Sequence, residues 1–158
     1  MSSALRARDS GKATASVWPV FLTAHAVLVE RVEARLAEAN LPPLAWYDVL
    51  WALEGADGAR VRLSELAERV VLSRSNMTRL VDRLEQAGLV VRERAEEDAR
   101  GSYAVLTLAG RAQRAKMWPA YKAAISTLFD AHVRPAEARV MDAVLRRILA
   151  SARGHGAT

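Results

Sequence analysis

Residues 73–88 (SRSNMTRLVDRLEQAG) combine hydroxyl, amide and guanidinium side chains within a short span. Hydroxyl and amide groups both donate and accept hydrogen bonds, and a guanidinium can hold a phosphate or a guanine edge with two parallel bonds. Such groups suit the recognition of polar edges. The side chains that we assign to this recognition are Ser73, Arg74, Ser75, Asn76, Thr78, Arg79 and Arg83.

A helix over this span would separate the polar groups from an apolar side. The apolar residues recur at intervals of three, one and three, which is the spacing of one helix face. They are Met77, Leu80, Val81 and Leu84. Ser73 can cap the first turn, and Gly88 can adopt the left-handed conformation that ends a helix. We therefore expect a helix that buries its apolar side and exposes its polar side.

The flanking segments predict how this helix is held. Residues 63–70 (LSELAERV) have the pattern of a short preceding helix, and the two helices together form a helix-turn-helix. Residues 89–94 and 102–108 are rich in strand-forming side chains and enclose the polar turn 95–101 (AEEDARG), while 59–62 can add an edge strand. This order predicts a winged helix-turn-helix in which the hairpin loop is the wing.

The run from residue 63 to residue 112 resembles the MarR family (multiple antibiotic resistance regulators) of bacterial transcription factors. The most specific elements are SRSNMTRLVDRLEQAGLV, the wing sequence Asp98-Ala99-Arg100-Gly101 and the step LTLAG into the next helix. Many relatives have proline where this chain has Ala109. The resemblance extends weakly to 44–50 (LAWYDVL), and it implies a homodimer that represses transcription by occluding a promoter.

In a helix-turn-helix the second helix enters the major groove, where each base pair presents its own donors and acceptors. We expect Ser75, Asn76, Thr78 and Arg79 to lie near base edges, and Arg74 and Arg83 to meet phosphates. In the wing, Arg100 can enter a narrow minor groove, and Asp98 can orient an arginine there. The bland alternatives are a solvated helix face and an ordinary β-turn.

Composition limits the other classes of function. The 158 residues carry a net charge of +5 and no cysteine, which excludes disulfides and thiol-ligated metals. Three scattered histidines give no metal spacing, and we find no nucleophile elbow, phosphate-binding glycine loop or paired carboxylates. We therefore expect no enzymatic activity, no metal and no cofactor. With no apolar run long enough to span a membrane, a cytoplasmic location is the expectation.

The two ends of the chain have the pattern of long amphipathic helices. We expect a flexible arm over 1–15, dimerisation helices over 16–40 and 109–152, a DNA-binding lobe over 41–108 and a flexible tail over 153–158. A proline inside the later helix, Pro119, predicts a kink or break. Apolar faces on isolated helices need a partner surface, which a twofold dimer provides. The residues that we assign to dimerisation are Val17, Val20, Phe21, Leu28, Val140, Val144 and Ile148.

Aromatic residues lie on the elements that should border the junction between the dimer helices and the DNA-binding lobe. The resemblance implies that a small aromatic or phenolic molecule binds there and releases DNA. The candidates are Trp18, Phe21, His25, Trp46, Tyr47 and Trp51. Aromatic residues at helical spacing also fill cores, so core packing stays the alternative for each of them.

The sequence thus predicts a mainly α (α+β) fold: a winged helix-turn-helix with long N- and C-terminal dimerisation helices. The predicted function is a homodimeric, sequence-specific regulator of transcription that binds double-stranded DNA. Its site would be an inverted repeat with half-sites about 10 base pairs apart. Two alternatives remain open, a winged-helix protein-interaction module and a small-molecule carrier without a DNA response. Neither the operator, the regulated genes nor the direction of regulation follows from the sequence.

Overall fold

A computed structural model of the chain describes residues 3–70, 74–95 and 101–154, with side chains described from residue 17 onward apart from that of Arg74. The helices in these ranges are α1 (Ser3–Glu38), α2 (Leu44–Glu54), α3 (Leu63–Arg69), α4 (Arg74–Gln86), α5 (Leu108–Leu128) and α6 (Pro135–Gly154). The strands are β1 (Arg60–Arg62), β2 (Val90–Arg94) and β3 (Ser102–Leu106). Short 3₁₀ turns occupy Asp57–Ala59 and Asp130–His132. The predicted mainly α fold with a winged helix-turn-helix is confirmed.

The first core holds α2, α3, α4 and the sheet together. The apolar side predicted for α4 is buried in it, because Met77, Leu80, Val81 and Leu84 are each less than a tenth exposed. Burying a leucine or valine side chain fully stabilises a fold by about 1.5–3 kcal/mol. The other large side chains of this core are Val49, Leu50, Leu53, Val61, Leu66, Leu89, Val90 and Leu106. This core fixes the orientation of α4 and leaves its polar side outward.

The three strands form an antiparallel sheet in the order β1, β3, β2. The predicted edge strand is therefore confirmed, and it pairs with β3 so that Val61 lies opposite Ala104. On the other side of β3, Ala104 lies opposite Arg92. Because side chains alternate along a strand, Arg92 shares the inner face of the sheet with buried Val61 and Ala104.

A second core joins the later half of α1 to α2 and α5. Its buried residues are Val32, Leu36, Tyr47, Met117 and Ala124. Pro43, which precedes α2, provides no side-chain cap for that helix. Instead, both carboxylate oxygens of Glu33 on α1 accept from the backbone N–H of Leu44, at 3.1 and 3.2 Å. A negative charge therefore meets the positive end of the α2 dipole, and this contact fixes α2 against α1.

A compact junction connects the end of α4, the start of β2 and the start of α5. Gly88 has a φ of 73°, the left-handed conformation predicted for it. The hydroxyl of Thr107 donates toward the carbonyl oxygens of Gly88 and Leu89, at 2.8 and 3.0 Å. The same hydroxyl accepts from the N–H of Gly110 at 3.0 Å, so Thr107 is the N-cap of α5. The predicted cap at Ser73 lies outside the described residues.

Several elements differ from the sequence predictions. Strand β3, for example, ends at Leu106 rather than at residue 108. Helix α1 begins at Ser3, within the range predicted to be a flexible arm, because residues 3–15 include four alanines and two arginines, which are good helix formers. Helix α5 is continuous through Pro119 rather than broken there, since it is packed against both α1 and α2 in this region. Helix α6 continues to Gly154, two residues into the predicted tail. Among the described residues, no helix has both the length and the apolar run needed to cross a bilayer.

Candidate nucleic-acid interface

The polar side of α4 faces solvent along the whole helix. Ser75, Asn76, Thr78, Arg79 and Arg83 are all exposed, as the sequence predicts. Within the described ranges, Arg79 and Arg83 form no ion pair with the rest of the chain. The two guanidinium groups are therefore available to an anionic partner. The predicted positions Ser73 and the side chain of Arg74 lie outside the described residues.

The acidic residues of α4 are engaged by one arginine on the neighbouring strand. Arg92 Nη2 lies 2.6 Å from Asp82 Oδ1, and Arg92 Nη1 lies 2.9 Å from Glu85 Oε2. The backbone N–H of Arg92 also donates to Glu85 Oε1 at 3.0 Å, and Nη2 donates to the Thr78 carbonyl at 3.2 Å. Positive and negative charges on α4 are therefore separated, because the carboxylates turn toward β2 while Arg79 and Arg83 face solvent.

The outer face of the sheet carries an arginine and tyrosine cluster that sequence reasoning did not single out. The guanidinium of Arg60 lies 4.0 Å from the centre of the Tyr103 ring, and that of Arg62 lies 5.3 Å from it. Arg62 Nε also donates to the Tyr103 hydroxyl at 3.2 Å. Arg60 pairs with Glu93 at 3.6 Å. Strand register explains the cluster, since Arg62, Tyr103 and Glu93 are directly opposite one another.

The base of the wing is closed by a hydrogen bond from the Ala95 N–H to the Gly101 carbonyl at 3.0 Å. Arg94, the last residue of β2, is exposed there and adds positive charge near the wing. The predicted wing residues Asp98 and Arg100 lie outside the described residues. Their roles in DNA binding therefore stay predictions.

The six aromatic and histidine residues predicted to contact a ligand lie in separate places in this chain. Trp18 and Phe21 stack on each other on α1 with ring centres 6.1 Å apart, and both are exposed, as is His25. Trp46 packs on the first core and Tyr47 is buried in the second. Trp51 is 62% exposed. A single chain therefore does not gather these residues into one pocket.

Trp51 borders an open cleft between α2 and α3. The cleft has a volume of about 430 Å³, and its other lining residues are Asp48, Ala52, Arg69 and Val70. Arg69 pairs with Glu65 one turn earlier, at 2.7 Å. Burial and the nearby Glu33 carboxylate raise the pKa of Asp48 to about 6. The cleft therefore combines an apolar surface with one acid and one arginine.

Behind the cleft, Tyr47 is the centre of an aromatic cluster with two α5 residues that the ligand prediction did not include. The Tyr47 ring centre lies 6.1 Å from that of Trp118 and 4.9 Å from that of Tyr121. Burial, the Asp48 carboxylate and Tyr47 all raise the pKa of the Tyr121 hydroxyl. Trp118 lies beside Pro119, where a kink or break was predicted.

The residues assigned to dimerisation leave a broad apolar surface open on α1 and α6. Val17, Val20, Val140 and Ile148 are each more than half exposed, and Phe21 is 44% exposed. Leu28 and Val144 are half-buried. These exposures are compatible with the predicted dimer, which stays a prediction.

One feature of the sequence could have predicted the contacts of Arg92, namely its position on the inner face of the sheet. Val90 and Arg92 are two residues apart in one strand and therefore share a face, so a buried valine predicts that the arginine also points inward. A charged group in that position needs an opposite charge nearby. The remaining signal was the pair of acidic residues Asp82 and Glu85, which lie within the span predicted to be helical.

A family model described as MarR family matches residues 39–101 of the chain. The solved structure of AbsC, a MarR family transcriptional regulator from Streptomyces coelicolor, is 31% identical with a TM-score of 0.79, and the match covers 88% of this chain and 93% of AbsC. The structure of Sco3205, a MarR family transcriptional regulator from the same organism in complex with DNA, is 26% identical with a TM-score of 0.78, covering 84% of each chain.

A regulator of Bacillus subtilis (strain 168), the uncharacterized HTH-type transcriptional regulator YkoM, is 33% identical over 69 residues. That match covers 44% of this chain and 45% of YkoM, so the chain matches less than half of this relative's length.

Proposed function

The chain belongs to the MarR family of transcriptional regulators, and we propose that it acts as a homodimer that binds an inverted-repeat site in double-stranded DNA. Members of this family regulate transcription and are not enzymes. The observation that carries the proposal is the solvent-facing side of α4, where Arg79 and Arg83 have no ion pair among the described residues. Sco3205, a relative of the same fold, has been solved with DNA.

Within this proposal α4 is the recognition helix. Ser75, Asn76, Thr78 and Arg79 meet base edges in the major groove, because the N-terminal part of a recognition helix reaches deepest. Arg83 lies further along the helix and meets phosphate. The Arg60, Arg62 and Tyr103 cluster gives the wing base a positive outer face beside the backbone of the duplex.

Salt-dependent DNA binding tests the proposal. A fluorescence anisotropy titration of a mixed-sequence duplex is run at several salt concentrations with the wild type and with the double variant Arg79→Ala/Arg83→Ala. The variant should lose at least about tenfold in affinity, and the slope of log K against log salt should fall by about 1 for each phosphate contact removed.

The matched control removes two exposed arginines from α6, in Arg139→Ala/Arg147→Ala, and should bind DNA as the wild type does. Equal losses of DNA affinity in the two double variants would show that net charge alone causes the effect. That result would contradict the role of α4. No binding by the wild type to any duplex at low salt would favour the protein-interaction alternative.

We further propose that the regulator is a repressor, released by a small aromatic anion bound in the cleft beside Trp51. Support comes from the volume of about 430 Å³ and the exposed indole. The Arg69 guanidinium at the edge of the cleft would exchange Glu65 for the anion. A ligand can weaken DNA binding only by favouring a conformation that the duplex does not. Salicylate is a suitable probe: it should lower DNA affinity in the wild type and have little effect in Trp51→Ala. An equal response in both proteins would exclude this cleft.

A further inference from the structure

The recognition helix carries two carboxylates where DNA binding would oppose them. Asp82 lies one turn after Thr78 and three residues after Arg79, so it shares their side of α4. Glu85 follows three residues later on the flank nearest β2. Two unneutralised carboxylates beside Arg79 and Arg83 would repel the phosphates that those arginines are proposed to approach.

The four contacts of Arg92 all lead to α4. Its guanidinium reaches one oxygen of Asp82 at 2.6 Å and one of Glu85 at 2.9 Å, and its backbone N–H holds the second Glu85 oxygen at 3.0 Å. The donation to the Thr78 carbonyl at 3.2 Å adds a contact to the helix backbone itself. Because the Arg92 side chain is 26% exposed, these pairs are only partly screened by solvent.

We propose that Arg92 is a positioning residue for DNA recognition, which holds the Asp82 and Glu85 carboxylates against the wing strand and away from the duplex. The inference rests on the DNA-binding function proposed above. Arg92 acts through the charges of α4, and its own guanidinium stays with the two carboxylates when DNA is bound.

Arginine suits this role better than lysine. A planar guanidinium presents several donors in a fixed geometry and can serve two carboxylates and a carbonyl at once. A lysine ammonium supplies the same charge from a flexible stem. Charge neutralisation alone is therefore retained by Arg92→Lys, whereas Arg92→Gln removes it.

The test compares affinities for one mixed-sequence duplex at low salt, after circular dichroism has established that each variant is folded. Arg92→Gln should bind about tenfold more weakly than the wild type, and the deficit should shrink as salt is raised. Arg92→Lys should stay within about threefold of the wild type. The control is Arg111→Gln, which removes an arginine of α5 that pairs with Glu54 of α2. It makes the same change of charge and should bind DNA as the wild type does.

The decisive variant is the triple change Arg92→Gln/Asp82→Asn/Glu85→Gln, which removes all three charges of this cluster. Its affinity should equal or exceed that of the wild type, a rescue that a purely structural role would not give. The triple variant also tests the proposal if Arg92→Gln alone fails to fold. A triple variant that stays tenfold below the wild type would overturn the inference and show that Arg92 itself meets DNA or holds the fold. Absence of binding by the wild type would instead overturn the proposed function.

Discussion

The Asp48 carboxyl group lowers the stability of the fold when it is charged. It lies half-buried on α2, where burial and the charge of Glu33 raise its pKa to about 6. An aspartate in an unfolded chain titrates near pH 3.9. Between these values the folded chain binds more protons than the unfolded chain, so the free energy of unfolding falls as the pH rises. Above about pH 6 the full cost of the charged form is present.

Replacing this acid should therefore stabilise the protein in a pH-dependent way. Asp48→Asn is expected to raise the free energy of unfolding by about 1 kcal/mol near pH 7.5, after allowance for partial exposure, and to change it little near pH 4. Chemical denaturation at both pH values measures the difference. The control Asp57→Asn, at an exposed site, should show no such pH dependence. A loss of stability in Asp48→Asn at the higher pH would contradict this account.

At the scale of residues, the periodicity of the sequence predicted the buried and exposed faces of α4 but not the contacts that hold the neighbouring elements in place. The buried and exposed sides of α4 followed from the spacing of Met77 and Leu80 relative to Arg79, because that spacing depends only on local helix geometry. The contacts of Arg92 and Glu33 did not follow, since their partners belong to other elements. Ligand contact and core packing were both open for Tyr47, and tertiary packing places its ring beside Trp118 and Tyr121.

Among the elements, the junction between α4, β2 and α5 depends on a close approach at Gly110. A Cβ at this position would lie 2.6 Å from Leu106 Cδ1 and closer still to the Leu89 carbonyl oxygen. The backbone of Leu89 cannot withdraw easily, because its carbonyl accepts from both the N–H and the hydroxyl of Thr107. The first turn of α5 can therefore lie against β2 only without a side chain at residue 110.

Gly110→Ala should lower the free energy of unfolding by about 2 kcal/mol or more, as overpacking next to backbone does. Thermal and urea unfolding followed by circular dichroism provide the measurement. Gly154→Ala is the matched control, since an added Cβ there meets nothing within 4 Å, and it should be neutral or slightly stabilising. Equal stability of the two variants would contradict the close packing of α5 on β2.

The placement of α2 depends on the cap that α1 provides. Glu33→Ala leaves the Leu44 N–H without its acceptor and should cost about 1 kcal/mol of stability. Glu30→Ala, at an exposed position of the same helix, is the control and should cost much less. Denaturation is best followed near pH 5, where the Asp48 carboxyl, whose pKa is about 6, is mostly protonated and repels Glu33 little. Equal effects of the two variants there would show that the cap contributes nothing.

Element boundaries were predictable wherever a local signal marked them. Gly88 follows the end of α4 in the left-handed conformation expected of it, and α5 begins within the LTLAG step that was expected to lead into a helix. Capping and left-handed backbone are properties of single residues. The start of α1 and the continuity of α5 were not predictable in this way. In α5, packing against two neighbouring helices compensates for the backbone hydrogen bond that is lost because Pro119 has no N–H.

For the molecule as a whole, the main feature is the exposed apolar surface of α1 and α6. Val17 and Val20 are 63% and 66% exposed, beside the exposed Trp18 and Phe21 pair. Large exposed apolar patches generally mark protein interfaces. A twofold dimer would cover the same patch on both chains and would place two copies of α4 on one duplex.

Val20→Glu should therefore weaken self-association by at least about tenfold, because burying an unpaired carboxylate in an interface is costly. Light scattering and sedimentation velocity over a dilution series measure the effect. Val91→Glu, at an exposed position on the outer face of the sheet, is the control and should leave association unchanged. A wild type that is already a folded monomer at micromolar concentration would remove the dimer.

The most direct test of the central claim is the DNA sequence that the wild-type protein selects from a pool of randomised duplexes. A dimer that reads DNA with two copies of α4 should recover an inverted repeat, with half-sites about 10 base pairs apart from centre to centre. Arg79→Ala should recover a site with a relaxed preference at matching positions in both halves. Recovery of no common sequence, or of a single unrepeated site unaffected by Arg79→Ala, would contradict the claim.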